Sequence, residues 1–300
     1  MRRACTVILP LVVFLVAPQA IGAERTRMKW VTSIYKDAKG IGLKYPEGVA
    51  CTDDFIVVAD TGNSRLLRYS YEGASVTAEA EFPLPKSFPV IVQVNSKGEV
   101  YFLDGRERRI VEVGAAGEGK RVLKPKSLPS SAEIVPKSFR IDGRDNIYIL
   151  DVFSDQVLVL DADAQYSRHI SFPEEYGFFS DLAVDRQGVV FLLDSVDAVV
   201  FSAGKDSKTF SPMTASMKEY MNFPARLAID DRGVLYLVDQ NGSGLGIVGR
   251  DGSFLGRKLA RGWNESGLYY PSQMCISANG SIFIADRNNS RIQMFKVDEN

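Results

Sequence analysis

An all-β ring of six four-stranded blades, a β-propeller, is the architecture this sequence predicts, and three observations predict it. An apolar run ending in Asp recurs six times at near-constant spacing, a Pro-marked strand stands ahead of nearly every run, and the strand missing from the last copy waits at the other end of the chain.

The six runs are Ile56–Asp60, Val100–Asp104, Ile147–Asp151, Val190–Asp194, Leu235–Asp239 and Ile282–Asp286, with spacings of 44, 47, 43, 45 and 47 residues. A period near 45 built from short strands, with no helical pattern between them, is the signature of propeller blades. Upstream of the runs stand Tyr45-Pro46, Phe88-Pro89, Val135-Pro136, Phe223-Pro224 and Tyr270-Pro271; the fourth copy has Phe178-Phe179 and no Pro. Pro suits the first position of an innermost strand, where no ladder hydrogen bond is lost. The strand it opens leads to a tight turn, as at Asp231-Arg232-Gly233, whose Gly supplies the positive φ a hairpin needs. After the Asp come a polar loop and a third strand, such as Arg65–Tyr69 or Arg291–Phe295.

A fourth strand can follow in the first five copies, for example Gly252–Gly256, while the sixth stops after its third. Trp30–Tyr35 supplies what is missing, so one N-terminal strand and three C-terminal ones complete the last blade and leave the ring without open edges. One closed ring over residues 24–300 is expected, rather than two domains.

The first 23 residues are set apart. Met1-Arg2-Arg3 precedes an apolar stretch from Ala4 to Val16 and the small residues before Ala23, the pattern of a secretory leader. The apolar run is shorter than the ~20 residues a spanning helix needs. The expected mature chain begins near Glu24, outside the cytoplasm, secreted or periplasmic, with no membrane span. The formal net charge of the whole chain is -1; losing Arg2 and Arg3 leaves 34 basic against 37 acidic side chains, or -3. That balance argues against nucleic acid as a partner, since phosphate binding draws on clustered Lys and Arg.

These residues resemble NHL repeats, whose pattern is Pro-x-Gly-hydrophobic, a strand ending in Ala-Asp, and a polar loop with Asn and Arg before the third strand. Copy one (Pro46-Glu47-Gly48, then Asp60 to Leu66) and copy six (Asp286 to Ile292) keep the pattern best. Copy two keeps Asp104 and Arg109; Gln156, Val199 and Gly244 stand at the Arg position of copies three to five. The resemblance spans residues 30 to 297 and implies a six-bladed propeller of the secreted, bacterial type. Such rings serve as protein platforms, as RNA platforms and as enzymes, so function has to be argued from the site.

Two sets of residues are candidates. On the loop face, Arg65, Arg109 and Arg291 read either as partners that hold the Asp-bearing loops or as an anion-binding sector, with Tyr45, Tyr270, Asn63 and the loop Trp263 as further contact residues. At the mouth of the central channel, Glu47, Lys137, Asp181, Arg226 and Gln273 differ from blade to blade, which is where a site would be written on a repetitive scaffold. With His169 as the single histidine, a multi-His zinc site is out of reach. Lactonase-type propellers hold calcium with carboxylates, and Glu47 and Asp181 are two candidate ligands that nothing nearby completes. Cys51 and Cys275 sit on neighbouring inner strands of the closed ring and on opposite pleat faces. Either they form a staple across the closure or they remain two buried thiols, the usual ~10 Å between sheets being too wide for a bond unless the strands converge.

The expectation is therefore an extracytoplasmic scaffold that presents its loop face to a protein partner, without catalytic residues or cofactor. The alternative is a calcium-dependent hydrolase or lyase with its metal at the channel mouth; a bound small ligand or glycan is the third reading.

Overall fold

The computed structural model describes residues 27–129, 133–174 and 177–298. The leader reading falls on residues outside these. Six four-stranded antiparallel sheets form the ring, and each inner strand touches the inner strand of the next blade. Blades 1 to 5 are built from consecutive strands; blade 6 takes Met274–Ile276, Ser281–Asp286 and Arg291–Asp298 from the C-terminal side and Arg27–Ile34 as its outer strand. Arg27 pairs with Asp298 and Ile34 with Ile292, so the N-terminal strand closes the ring.

The repeat register is uniform. Each terminal Asp of a second strand faces the residue five positions on: Asp60 opposite Arg65, Asp104 opposite Arg109, Asp151 opposite Gln156, Asp194 opposite Val199, Asp239 opposite Gly244 and Asp286 opposite Arg291. Inner strands open on Pro89, Pro136 and Pro224, and on Phe179 in the copy without Pro. Blades 1 and 6 differ: their inner strands begin only at Gly48 and Met274, because the Gln273 amide donates across the blade gap to the Glu47 carbonyl at 3.1 Å. Outer strands shrink to Arg121–Val122 in blade 2 and Ser211–Pro212 in blade 4.

The core lies between blades. Ile34, Val49, Ile56, Tyr69, Phe283 and Met294 form one cluster shared by blades 6 and 1, and Ala50, Val57, Leu66, Val92 and Phe102 one shared by blades 1 and 2. Fully burying a side chain such as Phe102 or Phe283 is worth about 1.5–3 kcal/mol, so each blade is stabilised by its neighbours rather than by itself. Turns at the far end are of the expected kind, with Gly233 at φ 82° closing the inner hairpin of blade 5.

Cys51 and Cys275 are joined in a disulfide with a Cα separation of 5.9 Å. The inter-sheet spacing that argues against such a bond does not apply, since the inner strands of blades 6 and 1 converge at the axis, close enough for the main-chain bond between Gln273 and Glu47.

Candidate functional site

All six terminal Asp residues are buried, and their first task is structural. Each accepts backbone N–H groups from the loop that enters its own blade: Asp60 from Lys44 (2.7 Å), Asp151 from Val135 (3.0 Å), Asp239 from Phe223 (2.8 Å) and Asp286 from Tyr269 (2.7 Å). Asp104 and Asp194 do the same for Phe88 and Phe178 and also hold the loop that follows them. These bonds fix the two loops of every blade on one face of the ring.

The second carboxylate oxygen separates the blades. In blade 1, Asp60 Oδ2 accepts from Arg65 Nε (2.7 Å) and Asn63 Nδ2 (2.8 Å); in blade 6, Asp286 Oδ2 accepts from Arg291 Nε and Asn289 Nδ2, both at 2.8 Å. Arg65 also reaches Asp37 at 2.5 Å, and Arg291 Nη2 donates to the carbonyls of Asn264 and Gly267. Burial pushes the Asp37 carboxyl up, yet the Ile41 amide, the Arg65 guanidinium and the Lys39 amide together hold it below its ordinary value. Arg65 and Arg291 are 4% and 2% exposed, so the reading of them as contact residues is corrected: both are buried inside the ring, Arg65 Nη2 without a hydrogen-bond partner among the described residues. Asn63 is likewise committed, to Asp60 and to the Gly42 carbonyl. Arg109 keeps the spacing but not the bond. It is exposed, and the Oδ2 atoms of Asp104 and Asp151 lie buried with no hydrogen-bond partner among the described residues. Blade 5 restores the pair from another strand, Arg257 Nη1 reaching Asp239 Oδ2 at 2.5 Å. No spacing rule points to Arg257, because it comes from the outer strand.

The channel is shut by two polar knots. Gln273 Oε1 accepts from the amides of Val49 (3.2 Å) and Val92 (3.1 Å) while Nε2 donates to the Val92 carbonyl (3.1 Å), tying blades 6, 1 and 2. A Cβ at Gly48 would stand 2.9 Å from Ala59 Cβ and 3.2 Å from Gln273 Oε1, which is why this inner strand needs glycine there. Opposite, Asp181 accepts from Ser138 Oγ, from Arg140 Nη2 (2.7 Å) and from the Leu227 amide (2.8 Å), tying blades 3, 4 and 5. Asp181 and Gln273, both at most 1% exposed, are thus not at the mouth but below it. Arg140 is a residue the sequence reading passed over. Its signal is a long cation where the aligned residues are Ala50, Gln93, Ala183, Ala228 and Cys275, set against a lone acid on the same face of a neighbouring inner strand. Beneath the knots lies a well of about 230 Å³ lined by Val94, Ile141, Val184, Ile229, Ile276 and the disulfide.

Above the knots the mouth opens into a depression of about 450 Å³ spread over blades 2 to 4. Glu47, Lys137 and Arg226 line it as expected, together with Arg108, Phe178 and Val90. Glu47 is held by Arg287 (3.0 Å). Lys137 has no carboxylate within ion-pair distance among the described residues; its Nζ lies 4.8 Å over the Phe178 ring. Burial, and then the charges of Arg226 and Arg108, push the Lys137 ammonium below its ordinary value. Arg226 donates from Nη1 to the Ser180 and Ala225 carbonyls at 3.3 and 3.2 Å, but its Nε is buried without a partner among the described residues. Around this cationic floor the loop face exposes Val152, Phe153, Phe178 and Val196, at 40–62%.

The remaining contact candidates cluster over blades 6 and 1. Tyr45 is exposed beneath Arg287 (5.6 Å), Tyr270 is half-buried against Tyr269, and Trp263 stands 70% exposed, 5.7 Å from Tyr269. Tyr45 and Tyr270 take φ values of 46° and 51°, a left-handed turn ahead of Pro that non-glycine residues seldom adopt. Calcium does not fit. Asp181 is engaged by Ser138, Arg140 and Leu227, Glu47 by Arg287, and among the described residues no three His, Cys, Asp or Glu side chains stand together as a metal site. His169 sits on an outer strand, 2.9 Å from the Tyr166 hydroxyl.

An NHL repeat is matched over residues 268–295, which is blade 6 from its entry loop to its third strand. With six blades in one register, the chain is an NHL-repeat six-bladed β-propeller. Similar solved structures include a gluconolactonase from Xanthomonas campestris (15% identity, TM-score 0.66, covering 91% of this chain and 90% of that one). A virginiamycin B lyase from Staphylococcus aureus is similar at 12% identity and TM-score 0.61, covering 91% and 99%. A chain of a nidogen–laminin complex is similar at 15% identity and TM-score 0.58, covering 77% and 92%. At these identities the likeness is one of fold. No curated protein matches the sequence.

Proposed function

We propose that this propeller is an extracytoplasmic binding scaffold that presents the loop face of blades 2 to 4 to a protein partner. The observation that carries the reading is the state of the channel mouth: the two knots below it are bonded across the axis, while the depression above them offers cations with no carboxylate partner among the described residues beside exposed apolar side chains. General acid–base catalysis needs groups that change protonation against a bound substrate. The carboxylates nearest the axis are instead fixed in ion pairs. Six blades hold the loops before a partner arrives, so association loses little ordering entropy. The disulfide and the leader-like N-terminus support an oxidising compartment outside the cytoplasm.

The fold likeness to a gluconolactonase and to a lyase favours the second reading, a metal-dependent hydrolase or lyase. A variant of that lyase lacking one histidine is described as catalytically inactive, whereas the one histidine here lies on an outer strand.

A photo-crosslinking residue placed at Phe153, on the loop face, and another at Lys97, on the opposite face, separate the readings in the intact cell envelope. Discrete protein adducts from Phe153 and none from Lys97 are expected. Equal labelling from both faces, or a stoichiometric metal whose chelation lowers the melting temperature, would overturn the scaffold reading.

A further inference from the structure

We propose that the depression at the channel mouth is a receptor for a single carboxylate joined to an aromatic or aliphatic group, such as an acidic or C-terminal residue of the protein partner. This deepens the scaffold reading and rests on it only for the source of the carboxylate. The chemistry is on the walls. Arg108, Lys137 and Arg226 converge closely enough that both arginines depress the lysine, an arrangement that is unfavourable until an anion sits among them. Among the described residues the buried Arg226 Nε has no acceptor, and buried donors without partners are rare in folded proteins.

The acids nearby limit the anion. Glu47, turned to Arg287, Asp104 and Asp155 share the lining with Arg108, Lys137 and Arg226, so the basin is not strongly positive and favours a monoanionic carboxylate over a phosphate dianion. Apolar walls select the rest of the ligand. Val90, Val135, Val152 and Phe178 line the depression, Phe153 stands exposed beside it, and a volume of about 450 Å³ lies within the range of pockets that enclose small ligands. Lys137, already packed over the Phe178 ring, is held at the boundary between the charged floor and the apolar wall.

The test titrates the full disulfide-bonded chain with 3-phenylpropionate by calorimetry and ligand-detected NMR, beside 3-phenylpropanol, phenyl phosphate and acetate. Saturable 1:1 binding of 3-phenylpropionate is expected, on the order of millimolar for so small a probe. The alcohol, the phosphate and acetate should each bind at least about tenfold more weakly. Lys137→Met and Arg226→Gln should each weaken 3-phenylpropionate by about tenfold or more, with melting curves confirming the fold, while Lys97→Ala on the opposite face should leave it unchanged. If Arg226→Gln does not fold, Lys137→Met decides. Phenyl phosphate binding more tightly than 3-phenylpropionate, the alcohol binding equally well, or no saturable binding overturns the receptor. Phe153 adducts with no probe binding would sink the receptor and leave the scaffold; probe binding with no adducts would do the reverse.

Discussion

Blades 6 and 1 and blades 2 to 4 carry the same repeat, yet the first pair sets a buried arginine against each terminal Asp and the second group does not. At the 6–1 seam Asp60 is paired with Arg65 and Asp286 with Arg291, Gln273 bridges the axis and a disulfide joins the inner strands. Over blades 2 and 3 one oxygen of each terminal Asp lacks a donor among the described residues, and Arg108, Lys137 and, from blade 5, Arg226 face an open depression. The repeat motif is thus retained where the ring is sewn shut and eroded where the surface is free to contact something else. At Arg65 and Arg291 the arginine of the repeat pattern is a fastener; the cations of the proposed receptor lie off the pattern.

The sharpest way to break this comparison is to remove the same residue type from both regions. Arg291→Met leaves the buried Asp286 carboxylate without its cation, with only the neutral donors of Tyr269, Asn289 and Gln293, and denaturant unfolding should show a loss of about 3–5 kcal/mol. Arg109→Met, at the aligned position, should stay within about 0.5 kcal/mol. Comparable losses at the two sites would end the distinction. Next in size, Cys51→Ser with Cys275→Ser removes a crosslink over 224 residues and should lower stability by about 2–4 kcal/mol, read by thermal melts with and without reductant.

Acid should act on the seam first. Asp37 and Glu81 have carboxyls held below their ordinary values, Glu81 by Lys39 above all. The stability they contribute is therefore in full above the ordinary carboxylate range and is lost as pH falls through their lowered values. Asp37→Asn should flatten the acid limb of a melting-temperature profile against pH. The smallest effect has the opposite sign. Lys137 is pushed down by burial and by Arg226 and Arg108, so its charged form is a cost in the folded state, and Lys137→Met should raise stability slightly, by up to about 0.5 kcal/mol, while weakening the probe about tenfold or more. A loss of stability instead would mean that the lysine has a structural partner.

Blade number, strand order, the closing strand and the Asp-to-third-strand register were all legible, because each depends on a period in the chain and on turn chemistry local to it. Aligning the repeats points to Glu47, Lys137 and Arg226, and all three line the depression on the loop face. What the alignment could not convey is depth: Asp181 and Gln273 occupy the same aligned position as Arg226, but a side chain that finds a partner across the axis turns inward and one that does not stays at the rim. Arg257 and Phe178 were invisible as site residues for a related reason, since their roles arise from outer-strand and entry-loop contacts that have no fixed spacing from the Asp.

The outermost sheet of blade 6 joins Arg27–Ile34 to Arg291–Asp298, strands from opposite ends of the ring's sequence. Until both are present, five finished blades carry an unpaired flank on each side, a sticky intermediate that would pair with any stray strand. Folding of this protein is consequently a race between self-closure and misassembly. Cys51 and Cys275 lie on the inner strands of blades 1 and 6, so the loss of thiol accessibility during refolding is the expected readout of the moment those two blades meet.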